Sequence, residues 1–219
     1  MTEIPYRIRR SDRARRVRVT VDAVEGVEVV LPRRARERDA EAAMRELRPW
    51  VEKRLRALDR AREEAGAPPG HVPYVGEHLR LVPEAGRTRV HRKGDALLVP
   101  ARDPLPALER WYRRAAKIEI APRVEQAVAE AGADYERLRI AGQRTRWGSC
   151  SSTGTLSFNW RLLLAPEPVL DYVVWHEVCH LRVPDHSKRF WRMVERYRPG
   201  YREEERWLRR YGSALVLPA

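Results

Sequence analysis

The sequence predicts an α+β fold: a small N-terminal region of strands and one long helix, then a C-terminal domain of an antiparallel sheet and an apolar helix. Three observations point there. Apolar residues alternate with polar ones near the N-terminus. They then recur every three or four residues over long stretches. Near the C-terminus, two short strand-like segments run directly into a helix with an apolar face. The expected divisions are 1–66 for the strand meander and long helix, 71–103 for a β-hairpin region, and 104–219 for the C-terminal domain.

Val17, Val19 and Val21 alternate with polar residues, Gly26 marks a turn, and Val27, Val29 and Leu31 resume the alternation up to Pro32. That period of two predicts half-buried strands in an antiparallel meander. From Arg36 to Ala65 the period changes, with Ala40, Met44, Leu47, Val51, Leu55 and Leu58 on one stripe. Pro49 predicts a kink or a fresh helix start. Gly66 to Gly70 is a breaker cluster. Strand-like segments follow at His78 to Val82, Arg87 to Val90 and Ala96 to Val99. His71, His78 and His91 in this region lack metal-ligand spacing and read as strand or surface residues. Pro104 opens a second long helix, which Gly132 stops. Strands are expected at Leu138 to Ala141, Thr145 to Cys150 and Thr155 to Asn159, the last two as a hairpin around Gly154. Helices follow from Glu167 to Leu181 and, after Pro184, through Tyr197.

With 219 residues, 43% of them hydrophobic, the chain can bury a sizeable core. Two cysteines, Cys150 and Cys179, exclude a disulfide framework. The N-terminus shows no apolar signal segment and no stretch long enough to span a bilayer, so the expected location is the cytoplasm, away from membranes. The net charge of +13 comes almost entirely from arginine, and Arg7, Arg9, Arg10, Arg13, Arg15, Arg16 and Arg18 crowd the first eighteen residues. That charge fits a polyanionic partner such as nucleic acid, or a solvated arginine-rich surface.

The sharpest feature is His176-Glu177-Val178-Cys179-His180. Residues i and i+4 lie one turn apart on one helix face, so two imidazoles can share one ion. Zinc takes such nitrogens at about 2.0–2.1 Å. Glu177 follows the first ligand and stands where a general base would take a proton from a metal-activated water. Catalytic zinc usually has three protein ligands. His186, brought round by the turn at Pro184, is the candidate third. Asp185 is either an acceptor orienting an imidazole or the N-cap of the next helix. By resemblance to zincins, in which the strand beside the active-site helix can pair with an extended peptide, the Trp147 to Asn159 hairpin is the candidate surface for such pairing. Trp147, Gly148 and Asn159 are its candidate substrate-binding residues, with Gly148 allowing close backbone approach. Arg146, Arg161 and Tyr201 are candidate donors to the transition state.

Arg144 to Tyr211 resembles the YgjP-like metallopeptidase family. The matching text is R-T-R-W-G-S-C-S (Arg144 to Ser151), L-S-F-N-W-R-L (Leu156 to Leu162), D-Y-V-V-W-H-E-V-C-H-L (Asp171 to Leu181) and D-H-S-K-R-F-W (Asp185 to Trp191). The resemblance implies a minimal zincin related to SprT-like and WLM proteases. It also implies one Zn2+ held by His176, His180 and His186, Glu177 as the base, and a peptide or protein substrate. The rival class is a basic nucleic-acid-associated protein with a zinc site, including a protease acting on DNA-bound proteins.

Overall fold

The computed structural model describes residues 3–143 and 146–217. Arg144 and Thr145, at the start of the first motif and of one expected strand, lie outside the described residues. The chain divides into two compact units, Met1–Ala65 and Gly66–Ala219. The described residues form five α-helices and three small sheets. None of the helices is long and apolar enough to cross a membrane.

In the first unit, β1 (Tyr6–Ser11), β2 (Arg18–Asp22) and β3 (Gly26–Pro32) precede α1 (Glu37–Ala65). The sheet order is β1-β3-β2, with β2 antiparallel to β3 but β1 parallel to it. The expected antiparallel meander is therefore a mixed sheet. The reason lies in β3: Val27, Glu28, Val29, Val30 and Leu31 are all buried, as befits a central strand covered on both faces. Glu28 is tolerated there because Arg7 and Arg9 of β1 pair with it at 2.9 and 3.1 Å. Burial pushes its carboxyl up, but the guanidiniums of Arg9 and Arg7 outweigh that and hold it below its ordinary range. Arg7 also pairs with Glu25, and Arg33 with Asp12. Part of the N-terminal arginine charge is thus answered within the unit. Helix α1 runs unbroken through Pro49 and buries Ala40, Met44, Val51, Leu58 and Ala61.

The second unit opens with β4 (His71–Tyr74), β5 (Glu77–Glu84), β6 (His91–Lys93) and β7 (Ala96–Pro100), in the order β4-β5-β7-β6. The strand expected at Arg87 to Val90 lies instead at His91–Lys93. Helix α2 (Leu105–Ala131) ends at Gly132 in the left-handed conformation (φ +57°), its N–H bonded back to the helix. A side chain there would strain the backbone, so glycine makes the stop. Next come β8 (Arg137–Ala141), β9 (Gly148–Cys150) and β10 (Thr155–Asn159). Their order is β8-β10-β9, with β10 antiparallel to β9 and parallel to β8. The expected antiparallel sheet is therefore also mixed, with β9 at its edge. A 3-10 turn (Trp160–Leu164) leads into α3 (Glu167–His180), followed by α4 (Lys188–Tyr197) and α5 (Arg202–Tyr211). Helix α3 is buried nearly all round, through Val169, Leu170, Tyr172, Val173, Val174, Glu177, Val178 and Cys179. The burial therefore extends beyond the single apolar face expected from the sequence.

Candidate metal centre

Helix α3 delivers His176, Glu177 and His180, and the turn after it delivers His186. Leu181, Arg182 and Val183 fold back onto the helix end through bonds to Val178 and Cys179 carbonyls. The Val183 carbonyl then accepts a hydrogen bond from His180 Nδ1 at 3.1 Å. That bond fixes the tautomer and leaves Nε2 without a proton. Asp185 is not the N-cap of α4; Ser187 is, and its N–H donates to the Asp185 carboxylate at 3.2 Å. A helix starting at Lys188 leaves residues 184–187 free to turn, which sets His186 opposite α3.

The three rings converge by their Nε2 atoms: 3.3 Å from His176 to His180, 3.1 Å from His176 to His186, and 3.2 Å from His180 to His186. Three nitrogens at the corners of a tetrahedron around an ion about 2.0–2.1 Å away would be separated by about 3.3 Å. The observed triangle fits that geometry, and imidazole suits zinc and its transition-metal neighbours. Among the described residues these three histidines are the group able to hold a metal ion. Burial, then the charges of His180 and His186, pushes His176 down to about 3, and burial lowers His180 as well. Both shifts favour the neutral imidazole, the form that can bind a metal ion. Phe190, fully buried, stacks on His180 at 4.3 Å and meets His176 and His186 edge-on at 4.9 Å. It is the floor on which the three rings rest.

Glu177 is 6% exposed and faces β9. A Cβ at Gly148 would fall 2.5 Å from its Oε1 and 2.6 Å from its Cγ, so the absence of a side chain at 148 makes room for this carboxyl. Burial raises the Glu177 carboxyl to about 8, and the charge of Arg146 opposes the rise.

A family model described as YgjP-like, metallopeptidase domain, matches residues 15–211. The chain belongs to the YgjP-like metallopeptidase family. Membership implies a metal cofactor, and the histidine group is where this chain can hold one. Two solved structures are similar in part. The metallopeptidase zymogen of Pyrococcus abyssi abylysin is 26% identical with a TM-score of 0.39, over 44% of this chain and 99% of that one. The metallopeptidase zymogen of Methanocaldococcus jannaschii jannalysin is 20% identical with a TM-score of 0.38, over 44% of this chain and 97% of that one. No curated protein matches.

In this YgjP-like metallopeptidase the other candidate residues separate by environment. Arg146 is exposed, and its charge acts on Glu177. Arg161 lies over the Trp160 ring at 4.6 Å. Tyr201 is buried, stacked between Tyr172 and Trp191. Trp147 is half-buried, and its ring lies against Gly212. Asn159 is 2% exposed, and its amide is used internally. It donates to the carbonyls of Gln143 (2.7 Å) and Arg146 (3.2 Å) and accepts from the Arg161 N–H (3.1 Å). Asn159 therefore clips the strand-leading loop that presents Arg146, Trp147 and Gly148. Asn159→Ala leaves those three backbone groups unpartnered. It is expected to cost about 2–3 kcal/mol, read as a lower denaturant midpoint at unchanged slope. Cys150 is half-buried beside Glu177; burial, with the Glu177 charge, raises its thiol, and it is not in the metal-holding group.

Two neighbours escaped the sequence reading. Phe190 falls within the fourth matching motif but carries no polar chemistry to mark it. Tyr172 lies four residues before His176, on the same helix face, and its hydroxyl is 3.5 Å from His176 Nδ1. That spacing is the signal that would have found it.

Proposed function

We propose that this chain is a zinc-dependent metallopeptidase that hydrolyses peptide bonds, with His176, His180 and His186 as metal ligands and Glu177 as general base. The observation that carries the reading is the triangle of three imidazole nitrogens with a buried carboxyl on the residue after the first of them. Its partly exposed position on a minimal zincin-like arrangement of sheet and helix supports catalysis over a closed structural site, which prefers four cysteine-rich ligands. When bound, zinc supplies a Lewis acid that acidifies water and polarises a carbonyl.

The chain's own groups do the rest. The His180 tautomer is held by the Val183 carbonyl, which keeps Nε2 aimed inward. With the positive charge of a bound metal offsetting the burial that raises its carboxyl, Glu177 would stand ionised, accept a proton from the attacking water and return it to the leaving amine. Arg146 bears positive charge beside that carboxyl and is the candidate donor with the best claim to the developing oxyanion. Strand β9, at the sheet edge, offers backbone groups to an extended substrate.

Elemental analysis of the purified protein tests the reading, together with cleavage of an unstructured protein substrate. One zinc per chain is expected. A chelator should abolish cleavage and added zinc restore it. His176→Ala should lose both metal and activity while the far-ultraviolet circular dichroism stays folded. A folded parent protein that never retains a divalent ion would sink the proposal.

A further inference from the structure

Away from the histidines, α2 treats its arginines in two ways. Arg113 and Arg123 each have a glutamate one turn back, pairing with Glu109 at 2.7 Å and Glu119 at 2.9 Å. Arg110 and Arg114 have none. The positions three and four residues from Arg110 are Pro106, Ala107, Arg113 and Arg114; those from Arg114 are Arg110, Trp111, Lys117 and Ile118. Among the described residues neither arginine, nor Arg89 on the segment leading into β6, meets a carboxylate at ion-pair distance. These three arginines line one cavity of about 500 Å³, with Val90 and Ala107, both buried, as its apolar part. Like charges one turn apart cost helix stability. Here three gather with no acid to answer them.

We propose that this cavity binds a small phosphorylated organic anion of the diphosphate class. Three guanidiniums match a group carrying about three negative charges, and their planar forks suit phosphoryl oxygens taken two at a time. The volume is far larger than one phosphate and lies within the usual range for small-molecule sites. Val90 and Ala107 give the remainder of the molecule an apolar surface. A recess favours a compact anion over duplex nucleic acid, whose phosphates lie on a convex rod. The site shares no residue with the histidine centre, so it holds or fails independently of the peptidase reading.

Calorimetric titration of the zinc-loaded full chain with ADP, at constant ionic strength, tests this. Saturable binding at one ADP per chain is expected, with pyrophosphate competing and adenosine silent. Arg110→Ser/Arg114→Ser should weaken ADP at least about tenfold, since each charge-assisted contact is worth about 1.4 kcal/mol or more. Arg54→Ser/Arg60→Ser, which removes the same charge from exposed positions on α1, should leave ADP binding unchanged. Should the α2 variant not fold, Arg89→Ser carries the same comparison from a loop. Equal losses in the two double variants would reduce the effect to net charge and overturn the site. So would ADP failing to bind while a short DNA duplex binds, which would assign the basic surface to nucleic acid.

Discussion

Glu177→Gln is expected to lower kcat by about 10³-fold or more, within or beyond the usual range for a general base, while zinc content stays at the parental level. The substitution keeps shape and removes the group proposed to accept the proton. It should also have an opposite effect on stability, measurable in the metal-free protein. Burial raises the carboxyl from 4.5 to about 8. In the folded chain the proton is kept; in the unfolded chain it is released near 4.5. The native state therefore binds more protons across that window, and stability falls as pH rises from about 4.5 to about 8. At pH 7 the cost is about 3 kcal/mol, taking about 1.4 kcal/mol per pH unit. Glutamine carries no such linkage. The metal-free Gln variant should thus be more stable than its parent at pH 7, and the gap should close toward pH 4.5. The histidines are common to both proteins and cancel in the difference. Cleavage by the Gln variant at the parental rate would remove Glu177 from the chemistry.

How much of this was legible in the residues depends on the range of the interaction. His176 and His180 are set by helical spacing, and Glu177 by adjacency to the first of them. His186 was reachable because Pro184 forces a turn, although the bond from His180 to Val183 that shapes it belongs to the folded chain. Strand direction was not legible. Alternation of apolar residues marks which face of β8 is buried, but not whether the neighbouring strand runs parallel, and β1, which buries no residue, has no such alternation; the parallel pairs β1–β3, β5–β7 and β8–β10 make all three sheets mixed. Asn159 reads as a polar residue at a strand end, which fits substrate contact and internal clipping equally well; only the placement of Gln143 and Arg146 assigns its amide inward. Helix α5 went unread because it buries none of its residues and so has no buried stripe to reveal it.

Gly148→Ala is expected to lower kcat by about 10²-fold, the scale of a displacement of about 1 Å at a reacting group, with zinc retained. Gly148 has no left-handed backbone to protect, so the cost is steric. The added carbon would stand 2.5 Å from Glu177 Oε1, 2.6 Å from Cγ and 2.8 Å from Cδ. Something must shift, and β9 is the less free of the two. Its lead-in is pinned where the Asn159 N–H donates to the Trp147 carbonyl at 2.8 Å and the Asn159 amide holds Arg146. The Glu177 side chain therefore moves. An alternative source of loss is the edge of β9, where a new methyl would obstruct a paired substrate. A double-mutant cycle separates the two. If the methyl acts through Glu177, adding Gly148→Ala to Glu177→Gln should change the residual activity little, because the group it displaces no longer works as a base. If it obstructs the substrate, KM should rise by the same factor in both backgrounds, and the contact between glycine and carboxyl would be packing without a part in turnover.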